Sequence, residues 1–191
     1  IPATAPKVES RRFITVDAAR IAWTGSGMLP TQSITGAWST QEWVRFLEGM
    51  PDALKPEQLR QLDEAYTLTG TPNGEIAQRW YPLAERSGYT EARAEMGMFL
   101  ERVGRRKLIM PTYKALVETD GGLAFAQQVF AKAKPGYHPI TTGTVQAVID
   151  EAAAKSAATP AGPGTPSAGQ TATAPESLHP SDPVPMPAET R

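Results

Sequence analysis

The sequence predicts an all-α chain, a stack of antiparallel helix hairpins, and three observations carry that prediction. Apolar residues recur at helical spacing through most of the first 150 positions. Start and stop signals punctuate them at intervals of about three helical turns. No window shows the alternation, β-branched enrichment and hairpin turns of a strand. Short helices joined by short loops, hairpin upon hairpin, are the pattern of a HEAT- or armadillo-like superhelix, although no clean repeat at a fixed period is present. The expected organisation is a linker over 1–12, a helical domain over 13–155 and a disordered tail over 156–191.

Taken in order, Phe13 to Thr24 is a short helix with Val16, Ala19, Ile21 and Trp23 facing inward, ended by Gly25-Ser26-Gly27. Leu29 to Ala37 reads as loop. Ser39 and Glu42 form a capping box, in which each side chain satisfies an orphan backbone N–H. The helix they open, Thr40 to Glu48, carries Trp43, Val44, Phe46 and Leu47. Pro56 starts a helix through Tyr66, with Leu59, Leu62 and Ala65 on one face. Asn73 caps the next, whose stripe is Ile76, Trp80, Leu83 and Ala84. Pro82 inside it removes one hydrogen bond and should kink or split it near Arg79.

Thr90 caps a helix to Val103, with Ala92, Met96, Phe99, Leu100 and Val103 inward. The stretch from Phe99 to Tyr113 then organises the rest. Gly104 is placed as a left-handed C-cap, Arg105-Arg106-Lys107 as a basic turn, and Pro111 as a first-turn proline of a helix over Met110 to Val117. Asp120 caps a helix through Leu123, Phe125, Ala126, Val129 and Phe130 to about Ala133. Pro135 to Pro139 is a rigid connector, and Thr141 or Thr142 caps a last helix with Val145, Val148, Ile149 and Ala152. From Ser156 the composition is dominated by Pro, Ala, Ser, Thr and Gly, with too little apolar surface to offset ordering entropy.

Composition excludes several functions. With 19 basic and 20 acidic residues in 191, a net charge of −1 gives no basis for general nucleic-acid or membrane-surface attraction. No apolar run approaches the ~20 residues of a spanning helix. The chain has no cysteine, hence no disulfide, thiol nucleophile or thiolate metal site, and its two histidines, His138 and His179, are far apart. No His-Glu-x-x-His helix, Gly-x-Ser-x-Gly elbow or phosphate-binding glycine loop occurs. Ile1-Pro2 is not an initiator sequence and no signal peptide follows, so the start is expected to be a cut within a longer polypeptide.

At Asn73-Gly74-Glu75-Ile76 with Arg79-Trp80, at Gly104-Arg105-Arg106-Lys107-Leu108 with Pro111-Thr112-Tyr113, and at Tyr137-His138-Pro139-Ile140-Thr141, the chain resembles a known module. It is similar, from about Phe13 to about Ile149, to the C-terminal helical domain of the leukotriene A4 hydrolase and aminopeptidase B branch of the M1 zinc aminopeptidases. The resemblance implies a helical domain that closes one side of an active-site cleft. Its partner would be the catalytic domain of the same polypeptide. That domain would hold the zinc and the catalytic residues, leaving this chain without cofactor and inactive alone. It also implies a role for Arg105 and Lys107, which match the arginine and lysine that bind the free carboxylate of a short peptide in that family. Epoxide hydrolysis, found in a few members, is not implied.

Each of these readings has a plainer counterpart. Arg105 and Lys107 as a solvated basic turn would merely complement a helix C-terminus. His138 reads as a structural histidine rather than a general base, since no nucleophile or metal partner is evident. Glu75 and Arg79 form an i, i+4 pair worth ~0.2–0.5 kcal/mol when exposed, either structural or an interdomain contact. Trp23, Trp38, Trp43 and Trp80 read as core or interface anchors. For the domain as a whole, the other reading is a free-standing helical-repeat module that binds a protein or peptide without enzyme activity. A domain separated from its partner should expose an apolar patch near its N-terminal helices.

Overall fold

Ten residues into the chain, the backbone of the computed structural model enters helix. The structure describes residues 10–158, and no strand occurs among them. The elements are α1 (Arg11–Ser26), α2 (Gln32–Thr35), α3 (Thr40–Glu48), α4 (Pro56–Tyr66) and α5 (Gly74–Arg86). A 3-10 turn, Thr90–Ala92, leads into α6 (Arg93–Arg102), followed by α7 (Arg106–Val117) and α8 (Gly122–Ala133). A second 3-10 turn, Lys134–Gly136, leads into α9 (Pro139–Ala158). The predicted tail falls outside the described residues from 159 onward, His179 included. So does most of the predicted linker.

The helices form two layers. In the first, α1, α3, α5, α7 and α9 pack each against the next; α6 and α8 pack together behind them. Contacts along the first layer advance in step. Arg12 reaches Glu42 (3.7 Å) and Asp17 reaches Arg45 (2.7 Å). Asn73 Nδ2 donates to Thr40 Oγ1 (2.8 Å), while Arg79 near the middle of α5 meets Glu48 at the end of α3. Lys107 meets Glu75, and Thr141 reaches the Gly104 carbonyl. These helices are therefore parallel, their starts lie along one edge, and the even-numbered helices carry the chain back. This is the two-layer, superhelical stacking expected of helix hairpins.

α5 is the centre of the stack, flanked by α3 and α7. Trp80, Tyr81, Met96, Leu100, Ile109, Tyr113 and Leu116 are fully buried around it, and Val16, Trp23 and Phe46 fill the α1–α3 end. Trp38 and Trp43 pack on Phe46 with ring centroids 5.2 and 6.0 Å away, so the tryptophans anchor packing. Two predicted inward residues face solvent instead: Ile21 is 65% exposed, and Ala65 is exposed on α4.

Several boundaries differ from expectation. α1 starts at Arg11, inside the expected linker, and ends at Gly27, whose left-handed φ of 74° lets its N–H reach the Trp23 carbonyl. One turn of helix, α2, occupies the expected loop. α9 continues three residues past 155, and Lys155 pairs with Glu151 along it (2.7 Å). α5 runs through Pro82 without splitting. Its residues from Ile76 to Glu85 are buried except Arg79, and that burial outweighs the ~3 kcal/mol of an interior proline.

Gly104 is not a left-handed cap: α6 ends with Val103 extended at φ −106°, and Gly104 lacks a positive φ. α7 begins at Arg106, so Pro111 is its sixth residue rather than a first-turn proline. The earlier start buries Ile109 completely. Asp120 does not cap α8. Gly121 takes that position at φ 70°, because the α7–α8 turn is pressed onto Glu85, which accepts from Thr119 Oγ1 at 2.5 Å. At α9, Thr141 and Thr142 lie inside the helix. His138 precedes Pro139, and its Nδ1 accepts the Ile140 N–H at 3.3 Å.

Candidate functional site

The aligned helix starts bring the three sequence motifs together around Arg105-Arg106-Lys107. In the first motif, Asn73 Oδ1 accepts the Glu75 N–H (3.0 Å) and caps α5. At Gly74 the start of α5 lies tightly against α7: a Cβ there would stand 2.9 Å from Leu108 Cδ1. Glu75 follows, and its carboxylate gathers three donors. Gln78 Nε2 donates at 2.5 Å, Arg79 Nη1 at 3.3 Å and Lys107 Nζ at 3.4 Å. Arg79 in turn donates to Glu48 Oε1 through Nε (2.8 Å) and Nη2 (2.5 Å). A ladder of alternating charge thus crosses from α3 over α5 to α7.

The third motif supports the turn from the other side. Tyr137 is buried and donates to the Leu100 carbonyl (2.6 Å), while its hydroxyl lies 3.2 Å from that of Tyr113. Burial pushes both phenols above their ordinary range, so both stay neutral structural hydroxyls. Tyr137 and the Gly136 carbonyl sit against Gly104, and Thr141 Oγ1 donates to the Gly104 carbonyl at 3.4 Å. His138, exposed and bound to a backbone N–H, has a capping role rather than an acid–base one.

The basic residues occupy the start of α7, with Arg105 as its N-cap residue and Arg106 and Lys107 as its first two positions. All three are exposed, and Lys107 is 62% exposed. Arg105 makes no side-chain cap, and no acidic residue lies in the first turn. The first helical bond is from Leu108 N–H to the Arg105 carbonyl (2.9 Å), so the N–H groups of Arg106 and Lys107 have no helical acceptor. Cations here add to the positive end of the helix dipole instead of complementing a C-terminus. Among the described residues, Arg105 and Arg106 have no side-chain hydrogen bond or ion pair. An exposed, doubly reinforced positive end with a free guanidinium is chemically suited to an anion.

Sequence reasoning placed Arg105 and Lys107, and the structure keeps them together on one turn. It read Glu75 and Arg79 as an i, i+4 pair, structural or in contact with another domain. The reach of Glu75 to Lys107 and of Arg79 to Glu48 crosses more than 30 positions and has no local signal. Among the described residues no group of three or more His, Asp or Glu side chains could hold a metal, so none is assigned to zinc.

A family model described as "Leukotriene A4 hydrolase, C-terminal" matches residues 38–149. The Leucine aminopeptidase 2 of Neurospora crassa is 30% identical over 127 residues, covering 65% of this chain and 19% of that protein. That of Pyricularia oryzae is 32% identical over 121 residues, covering 62% and 19%. A Leukotriene A-4 hydrolase homolog of Botryotinia fuckeliana is 28% identical over 132 residues, covering 68% and 20%. The chain therefore spans about a fifth of the length of these relatives. A solved structure of native yeast LTA4 hydrolase superposes with a TM-score of 0.58 at 19% identity, covering 76% of this chain and 27% of that one, which supports the fold.

Proposed function

The chain belongs to the leukotriene A4 hydrolase C-terminal family, and we propose that it serves a zinc-dependent aminopeptidase as its substrate-gripping helical domain. In this reading it closes one side of the active-site cleft, and Arg105 and Lys107 bind the free carboxylate of a short peptide. The observation that carries it is the exposed pair of cations at the uncapped, positive start of α7. A guanidinium can fork two N–H donors onto a carboxylate, an ammonium adds a compact charge, and free backbone N–H groups lie beside them.

Zinc supplies the hydrolytic chemistry from the catalytic domain, and no residue described here would hold it. This chain's own task is geometric. Fixing the far end of the peptide sets how many residues fit between the anchor and the scissile bond, which favours short peptides. Binding energy from that end can then orient the bond that breaks. Ile14 and Ile21, seven residues apart on α1, are exposed with Met28 and Ile34 close by in sequence. Apolar side chains left open at the first helices of the stack suit contact with a catalytic domain.

The test is kcat/KM for a tripeptide with a free C-terminus against its C-terminal amide, in the full-length enzyme and in Arg105→Ala. The free acid should be preferred, and the substitution should remove at least ~1.5 kcal/mol of that preference, the scale of a charged hydrogen bond. Equal cleavage of acid and amide by both enzymes would overturn the anchor.

A further inference from the structure

We infer that Glu75 is a positioning residue for Lys107, holding the ammonium at the α7 start so that it can share itself between Glu75 and an incoming carboxylate. The inference rests on the carboxylate-anchor reading above. Among the described residues Lys107 has a single side-chain partner, the Glu75 carboxylate 3.4 Å away. That contact is long and exposed, too weak to withhold the ammonium from a ligand. An ammonium carries three donors, so one can stay on Glu75 while others turn to substrate.

A carboxylate beside an anion site would ordinarily repel its ligand. Here the charge of Glu75 is already matched by Arg79 Nη1 at 3.3 Å, and Gln78 Nε2 fixes the same oxygen at 2.5 Å. Arg79 is itself held by Glu48, so the support reaches back to α3. The backbone of Glu75 is pinned by Asn73, and the neighbouring Gly74 lets α5 lie close enough to α7 for the reach. Three helices therefore brace one flexible side chain, while Arg105 is left free to move onto the ligand.

The experiment uses the full-length enzyme and the acid-to-amide ratio of kcat/KM in wild type, Glu75→Gln, Glu75→Asp, Lys107→Ala and the Glu75→Gln/Lys107→Ala double variant. Glu75→Gln should lower the ratio about two- to fivefold, the range of an exposed ion pair, entirely through KM for the acid. Kinetics on the amide should change far less than on the acid, and the melting temperature should fall only slightly, by the loss of an acidic first-turn residue and its Arg79 pair. Glu75→Asp keeps an acidic residue in the first turn of α5 but falls short of Lys107. It should lose the ratio to the same extent, which separates reach from charge. In the Lys107→Ala background, Glu75→Gln should have no further effect. An unchanged or raised ratio in Glu75→Gln, or an equal loss without Lys107, overturns the inference while the anchor stands. A wild type that does not distinguish acid from amide overturns both.

Discussion

Two helix starts lie side by side on this molecule and are built on opposite terms. α5 opens with Asn73 as a bonded cap and Glu75 in its first turn, a start complementary to the helix dipole. α7 opens with Arg105, makes no side-chain cap, and places three cations where the dipole is already positive. Each such cation costs about 0.3–1 kcal/mol when exposed. α7 forms because Ile109, Tyr113 and Leu116 are fully buried, at about 1.5–3 kcal/mol each. The α5 start is arranged for stability. The α7 start spends stability from its core on presenting charge.

Reversing the α7 start gives the largest expected effect. Arg105→Asp places an acidic N-cap where a cation now stands, adding a capping acceptor and removing one unfavourable charge. The chain should gain about 1 kcal/mol of stability, read as a higher urea midpoint. If Arg105 grips the substrate's carboxylate as proposed, the same substitution sets a carboxylate against it, and the preference for free-acid peptides should fall by more than in Arg105→Ala. If Arg105→Asp lowers stability, the two starts do not differ as described.

A smaller effect sharpens the contrast from the α5 side. Asn73→Ala removes the acceptor for the Glu75 N–H and the donor to Thr40 Oγ1, and should cost about 1 kcal/mol. Arg105→Ala removes no cap and should leave stability unchanged or raise it by a few tenths of a kcal/mol. Equal losses in the two variants would mean that the α7 start is stabilised by contacts of Arg105 after all.

The same pair of starts shows what could be read from the residues alone. Asn73 caps α5 as its type and position imply, and the bounds of α3 and α4 follow Ser39-Thr40 and Pro56. These signals are local, acting within one turn. The start of α7 was misplaced because Gly104 and Pro111 are equally local signals that tertiary packing overrode. Burial of Ile109 and the contact of Leu108 with Gly74 draw the helix back to Arg106. Burial likewise keeps α5 continuous through Pro82. Arg105 and Lys107 emerged from the order of three motifs. The structure gives that order a physical sense, since all three meet at Gly104 to Leu108. The hold of Glu75 on Lys107 depends on two parallel helices lying in register, which no local pattern encodes.

A third start, that of α3, gives the smallest and most direct check on the role of acidic residues there. Glu42 accepts the Ser39 N–H (2.8 Å) and the Ser39 hydroxyl (2.7 Å). These bonds, the backbone one foremost, hold its carboxyl below the ordinary 4.5, helped by Arg12 and opposed by burial. A carboxyl depressed in the folded state gives stability that is present above its unfolded value and lost as pH falls through its folded one. Stability should therefore decline as pH drops below about 4.5, and Glu42→Gln should be less stable at pH 7 yet show a shallower decline in acid. Asp17, lowered chiefly by its bond from Arg45, should keep part of the decline in the variant. Urea unfolding at steps from pH 7 to pH 3 reads both slopes. Parallel curves for wild type and Glu42→Gln would show that Glu42 titrates alike in folded and unfolded chains. An acidic first turn would then give α3 no electrostatic advantage over the basic start of α7.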